Sequence, residues 1–438
     1  MKTLFQIMLI ICCTCVLIFL AVYFSTQERK ESSIQIVLAH DKGIMPSFQN
    51  SFTLQGQAAK KALGTGFVPE PSQTTDLFVS RMMAALPTDE APGLFTWWSS
   101  TRVKPLVDQG LVDDLTHLWD KYRNEYDNAI RDAYTFEGKV YGFPYSIEYW
   151  AVWYNKKIFH RLNLEEPGTF GEFMTICETL KANGIPPLLS SLQDEWYSFV
   201  WFIQMVIGED PDFYVDLCEG RASYLDPRAQ KAMAVWGEMI SKGYFTDPGT
   251  NMFTNGGHLW NREKFAMILC GSWYYSTVLV PQGVDEENIG VFILPSHNMV
   301  AGKNIVMETG PVLTAAQAPS NKEALKIADW WMGSEGNAHF SRVFGSYAPN
   351  RQTDQSYLPL AKQTLLTRIY AEEYRILNRY WEATPAPICE FAVKKFGEFT
   401  LNPHAALQVL SEIDRMARDY FAEIPWQNKV SQNQGSCE

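Results

Sequence analysis

Short β-like runs recur between well-signalled helices along most of this chain, and that alternation constrains the fold more than any other feature. Ile34, Ile36 and Leu38 alternate with Gln35 and Val37 and lead into His40-Asp41-Lys42-Gly43, an opening strand that delivers polar residues at its carboxyl end. A second strand is expected at residues 93–96, directly before Trp97, Trp98, Ser99 and Ser100, and further ones at 265–269, 289–294 and 312–315. Thr169 and Glu172 form a capping-box pair ahead of Phe173, Cys177 and Leu180, with Asn183-Gly184 as the stop. Asp226-Pro227 opens a helix whose Met233, Trp236 and Ile240 share a face and which ends at Gly243. Ser320 and Glu323 open another, with Ile327, Trp330 and Trp331 on a core face before Gly333. Strands alternating with helices imply an α/β fold with mostly parallel sheets, and ligands of such sheets sit in the crevice outside the strands' carboxyl ends. At 438 residues the chain exceeds what one core supports, so two packed lobes are expected.

Residues 4–24 form a nearly unbroken apolar run, preceded by Lys2 and followed by Glu28, Arg29, Lys30 and Glu31. The run is long enough to span a bilayer and longer than a usual signal-peptide core, and no A-x-A cleavage site follows it. A retained membrane anchor is therefore the first expectation and a cleaved signal the second. Ile11 and Thr14 precede its cysteines, where a lipoprotein needs a small residue such as Ala or Gly, so lipidation is poorly supported. Cys12, Cys13 and Cys15 read as small apolar residues within the run. The other five cysteines have no framework spacing, and no disulfide is needed to explain the fold. A net charge of −12 disfavours nucleic acid, whose binding relies on Lys and Arg displacing counterions. Seven His without paired ligand spacing argue against a metal receptor, and neither a metal site nor a cofactor is expected.

The segment Tyr141-Gly142-Phe143-Pro144-Tyr145, followed by Tyr154-Asn155-Lys156-Lys157-Ile158-Phe159, resembles the crossover of the family 1 extracellular solute-binding proteins, the maltose-binding-protein-like group. There a "YG-P" turn leads into the hinge and a "YNK-LF" strand enters the second lobe. Other pieces follow in the family's order. Asp41-Lys42-Gly43 resembles the polar loop after the first strand, and Phe95-Thr96-Trp97-Trp98 the aromatic loop after the next. Residues 167–173 resemble the "P-TW-E" helix start, with Phe170 where Trp is common; residues 192–197 resemble a ligand-facing loop; Met267 to Trp273 resembles the "M---G-W" element. The resemblance covers residues 33–425 and implies a type II periplasmic-binding-protein-like fold with a hinge. Its implied organisation is a membrane or signal segment at 1–31, a first lobe at 32–145 plus 299–348, a second lobe and hinge at 146–298 plus 349–426, and a tail at 427–438.

A pyranose presents an apolar C–H face and a rim of hydroxyls, so its receptor needs flat aromatic plates and planar acceptors. Trp196 and Trp273 are candidate plates from the second lobe. Trp97 or Trp98 is one from the first, and because strand alternation turns one of them inward, Trp98 is preferred. Asp41, Glu148, Asp194 and Glu308 are candidate acceptors, with Tyr149 and Tyr347 completing the site. Competing structural roles are packing for Trp273 and helix capping for Asp41. The expected function is capture of a sugar or glycoside outside the cell, by hinge closure, for the permease of an ABC importer, as a monomer apart from that transporter. The rival is a membrane-tethered sugar sensor. A secreted glycosidase also needs paired carboxylates, but the chain carries no G-x-S-x-G, H-E-x-x-H or phosphate-loop motif, so no enzyme activity is expected.

Overall fold

The computed structural model describes residues 35–43, 45–193 and 195–423. Strand β1 (Ile36–His40) buries Ile36 and Leu38 and pairs in parallel with β2 (Phe67–Pro71) and β3 (Leu94–Thr96). Helices Pro46–Leu63 and Thr75–Ala85 make the crossovers, the second capped by Thr74, whose hydroxyl accepts the Leu77 N–H. After a small hairpin, β4 (Thr135–Phe136) with β5 (Lys139–Val140), the chain enters β6 (Phe143–Asn155), all 13 residues of which are buried. Strands β7 (Met267–Gly271) and β8 (Ile289–Phe292) flank the far half of β6. Strand β9 (Asn304–Thr314) returns alongside the near half to meet β3, and β10 (Arg375–Asn378) pairs with its start.

One half of the sheet thus rests on β1, β2 and β3, and the other on β7, β8 and β10, with β6 and β9 running through both. The sheet is mixed, which corrects the expectation of mostly parallel sheets. β1 with its neighbours and β9 with β10 are parallel, whereas β3–β9, β6–β9, β6–β7 and β6–β8 are antiparallel. The cause is the crossover itself, since outgoing β6 and returning β9 lie side by side in opposite directions and impose their direction on their partners.

Each half is packed by aromatic residues, whose full burial contributes about 1.5–3 kcal/mol apiece. In the first, Phe67 stacks on Trp331 at 5.5 Å, beside Phe52 and Phe340. In the second, every residue of helix Phe199–Glu209 is buried, and Phe202 stacks on Phe396 at 4.3 Å. Helix Phe170–Ala182 has its capping box: Thr169 Oγ1 accepts the Glu172 N–H and Glu172 Oε2 accepts that of Thr169. Asp226 caps helix Pro227–Ser241. Helix Asn321–Met332 differs from expectation, because Ser320 makes no side-chain cap and Trp330 is only half-buried where Trp331 is fully so. Cys177, Cys218, Cys270 and Cys389 are buried free thiols. Among the described residues no helix is long and apolar enough to cross a membrane; residues 4–24 lie outside them.

Candidate functional site

Glu148 and Glu308 are direct partners across the β6–β9 ladder. Opposite residues of an antiparallel pair share a face, and alternate residues return to it, so Trp150 and Val306 belong there too, while Ile147, Tyr149, Met307 and Thr309 occupy the other face. Glu308 is ion-paired through Oε2 with Arg379, which also holds Glu382 through Nε at 2.9 Å. Arg379 is fixed just beyond β10 by its N–H bond to the Met307 carbonyl at 3.0 Å. Burial pushes the Glu308 carboxyl up to about 7, with Glu382 and Glu148 adding to the effect and Arg379 and the Trp273 indole N–H opposing it. Burial also raises Glu148, against the Lys362 ammonium and the Ser272 hydroxyl, which donates to Glu148 Oε2. Lys362 in turn spends its hydrogens on the Gly345 carbonyl (2.7 Å) and Ser276 Oγ (2.9 Å). The second oxygen of each glutamate, Oε1, is buried without a partner.

Beside these acids stands a wall of rings. Trp273 follows β7 through Gly271 and Ser272, stacks on Phe253 at 5.9 Å and 18°, and lies 6.1 Å from Trp196. Trp150 meets both indoles edge-on, Trp196 at 6.2 Å and Trp273 at 6.5 Å. A Cβ at Gly271 would come within 2.4 Å of Trp273 Nε1 and 2.9 Å of Glu308 Oε1, so glycine is what lets indole and carboxylate close over the strand end. Trp196 and Trp273 are half-buried, each with part of its surface free.

From the first half, Asp41 follows β1, pairs with Lys42 at 2.9 Å and accepts the Thr96 hydroxyl at 3.4 Å. The Tyr145 phenol is held well above its usual pKa by burial first, then by Asp41, Glu308 and Glu148, so the three acids bear on one group. Trp97 is tied to its own loop, its Nε1–H donating to the Arg102 carbonyl at 2.9 Å, with its ring among Phe78 and Phe95. Trp98 is half-buried 5.2 Å from it and faces the Arg102 guanidinium at 5.7 Å. Arg102 reaches the other half: it lies 4.5 Å over Trp381, donates from Nε to the Trp381 carbonyl at 3.1 Å and pairs with Glu390. Thr101 adds a bond to the Glu382 carbonyl at 2.9 Å. The loop carrying these residues contains Ser100 at φ 54°, a left-handed backbone that a non-glycine residue adopts with strain.

Glu148, Glu308, Trp196 and Trp273 are therefore gathered around the middle of the crossover strands, Asp41 stands at the end of β1 beside Thr96, and Trp98 meets the second half through Arg102. Tyr149 and Tyr347 lie on the opposite face of β6, ring to ring at 5.3 Å. There the Tyr347 hydroxyl donates to the Lys362 carbonyl at 3.0 Å, and the Tyr149 hydroxyl lies 3.5 Å from that of Tyr370. Asp194 lies outside the described residues. Sequence reasoning passed over Arg379, Glu382, Lys362, Trp150, Arg102 and Trp381. The run Arg379-Tyr380-Trp381-Glu382 is as rich in planar and charged groups as the segments singled out, and Trp150 stands two residues beyond Glu148. Among the described residues no group of three or more His, Cys, Asp or Glu is placed to hold a metal ion.

The model of a family described as bacterial extracellular solute-binding protein matches residues 56–358. An uncharacterized ABC transporter extracellular-binding protein of Pyrococcus horikoshii is 27% identical over 220 residues, 48% of this chain and 49% of that protein. The diacetylchitobiose binding protein DasA of Streptomyces coelicolor is 23% identical over 293 residues, 64% of this chain and 65% of DasA. Aligned segments thus span about half to two thirds of these relatives. Among solved structures, the bacterial solute receptor AcbH, described as preferring β-D-galactopyranose, superposes with a TM-score of 0.79 at 16% identity, over 88% of this chain and 99% of AcbH, which establishes a shared two-lobed α/β fold. The chain belongs to the bacterial extracellular solute-binding protein family.

Proposed function

We propose that this chain is an extracytoplasmic receptor that captures a sugar or glycoside and delivers it to an ABC importer without breaking a bond in it. The observation that carries the reading is the junction of an indole wall with buried carboxylates, the carboxylates seated on the strands that link the lobes and the wall standing beside them. Half-buried indoles suit the C–H face of a pyranose, and carboxylate oxygens suit its hydroxyls. Trp150, Trp196 and Trp273 pack against one another at steep angles, and the half-buried Trp196 and Trp273 are the two that keep part of their surface free. The named specificities of DasA and AcbH, both for carbohydrates, support the same class.

Lobe boundaries follow the crossovers: residues 32–145 plus 299–348 form the first lobe and 146–298 plus 349–426 the second. Asp41, Trp98, Glu148, Trp196, Trp273 and Glu308 make the ligand contacts, joined by Asp194, while Tyr149 and Tyr347 support the hinge. Closure brings the second lobe onto a ligand already held by the first, and the ligand's differential contacts favour the closed state. Residues 4–24 tether the receptor to the outer face of the membrane. A thermal-shift screen of the detergent-solubilised full chain against mono-, di- and trisaccharides, glycosides and polyols tests the reading, since a ligand of the folded state raises its melting temperature. A rise with at least one carbohydrate is expected; a flat response across the panel would defeat it.

A further inference from the structure

Two segments from opposite halves of the sheet meet directly. The turn Ser100–Arg102 follows β3, and the short helix Tyr380–Ala383 follows β10. Each is anchored in its own half. Next to the turn, Val103 is buried with Phe95 and Leu106, and the Ser100 N–H donates to the Ala133 carbonyl at 2.7 Å. Opposite them, Trp381 stacks on Phe199 at 6.2 Å and 26°, and Tyr380 is buried against Phe199 and Phe396. The Thr101 hydroxyl bridges to the Glu382 carbonyl at 2.9 Å and the Thr384 carbonyl at 3.1 Å. Arg102 spans the same junction in three ways: its Nε donates to the Trp381 carbonyl at 3.1 Å, its guanidinium lies 4.5 Å over the Trp381 ring, and its Nη1 pairs with Glu390 at 3.1 Å. The Arg102 side chain is only 9% exposed, and a desolvated guanidinium over an indole holds more strongly than one in water. Ser100 heads this turn at φ 54°, and backbone strain of that kind persists only where the surrounding contacts over-determine it.

We infer that Ser100–Arg102 is a clasp: it fastens the first half onto residues 380–384 of the second, and so fixes how much of the population stands closed before a ligand arrives. Neither segment belongs to β6 or β9, the strands about which the halves turn, so the halves separate only when these contacts break. All the donors, acceptors and rings in the set are the chain's own, so they favour the closed arrangement whatever the ligand is. A ligand of the closed state binds with an affinity scaled by the fraction of receptor already in it. The clasp thus raises affinity without touching the ligand, which makes Thr101 and Arg102 positioning residues. This inference goes beyond the carbohydrate reading, because it concerns the two halves and not the chemistry of what they hold.

The test is small-angle neutron scattering from the full chain in contrast-matched detergent, with no sugar added, on the wild type and on Thr101→Val and Arg102→Lys. Val removes the hydroxyl while keeping the shape, and Lys keeps the charge but neither stacks as a plane nor donates from a fork. Both variants are expected to show a larger radius of gyration than the wild type, Arg102→Lys the more so. The affinity of a carbohydrate that binds the wild type is expected to fall by about tenfold in Arg102→Lys and by about threefold in Thr101→Val. If either variant does not fold, Glu390→Gln, which loses one exposed ion pair to Arg102 and leaves the rest of the clasp in place, is expected to shift the scattering less and in the same direction. An unchanged radius of gyration in the folded variants would overturn the inference. So would a lower affinity with unchanged scattering, which would make Arg102 a ligand contact. A chain that binds no carbohydrate would remove the carbohydrate reading and leave the scattering comparison to decide the clasp.

Discussion

On one face of β6 and β9, Tyr134 donates to Thr309 at 2.8 Å, Tyr347 donates to the Lys362 carbonyl, and Tyr149 meets Tyr370, which donates to Asp127 at 3.1 Å. On the other, Glu148 and Glu308 keep free oxygens, and the Trp150 Nε1–H is also without a partner. Both faces are equally dry, because β6 is buried along its whole length. A buried polar group normally finds its partner within the protein. One face obeys that rule and the other departs from it at directly opposed positions, which makes the second face the candidate for ligand contact.

Perturbing the cation that holds the incomplete face together should have the largest effect. Arg379→Ala leaves Glu308 and Glu382 buried without their shared counter-charge, and loss of one partner from a buried pair costs about 3–5 kcal/mol. Denaturant unfolding should show that loss; a change near zero would mean that the two acids are solvated. Next in size is the indole plate. Trp273→Ala should weaken sugar binding by about 1–3 kcal/mol, as for a buried anchor. Unchanged affinity in titration calorimetry would remove Trp273 from the ligand surface.

How much of this was legible beforehand differs between strand and site. Ile36 and Leu38, the capping box at Thr169 and the helix at Pro227 were readable because burial and capping leave local patterns. The strand expected at residues 154–159 was right only at its start, because β6 ends at Asn155, whose side chain caps the helix Lys156–Arg161, and a strand buried on both faces has no alternation to mark its end. Sheet direction failed for a related reason, since it depends on β9 returning beside β6 from far along the chain. Within the site, Glu148 and Trp273 stood out through the motifs around them. The partnership of Glu148 with Glu308 was invisible, being set by register over a separation of 160 residues. Arg379 was missed because its role exists only once β10 is laid against β9.

The incomplete face should also respond to pH. Glu308 is raised from 4.5 to about 7, so the stability it contributes is fully present below 4.5 and is lost as pH rises through about 7. Ligand hydroxyls favour the ionised carboxylate, so binding should release protons near neutrality and affinity should rise between pH 6 and 8, by at most about tenfold for one group. Stability and affinity should therefore run in opposite directions across that interval. Calorimetry in buffers of differing ionisation enthalpy, with Glu308→Gln as the untitratable reference, measures the proton release. An equal pH response in the variant would assign the effect to another group.

The smallest effect belongs to the complete face. Tyr347→Phe deletes one hydroxyl from a buried bond to the Lys362 carbonyl and should lower stability by about 1 kcal/mol. The ring contact with Tyr149 survives that change, so the hinge keeps its packing. Sugar affinity should stay within about twofold, because the deleted hydroxyl is satisfied inside the protein and lies across the strand from Glu308. A fall in affinity without a matching fall in stability would place Tyr347 on the ligand and erase the distinction between the two faces. A fall in both, scaled alike, would mean that Lys362, loosened at its carbonyl, carries the disturbance to Glu148, whose carboxylate its ammonium supports.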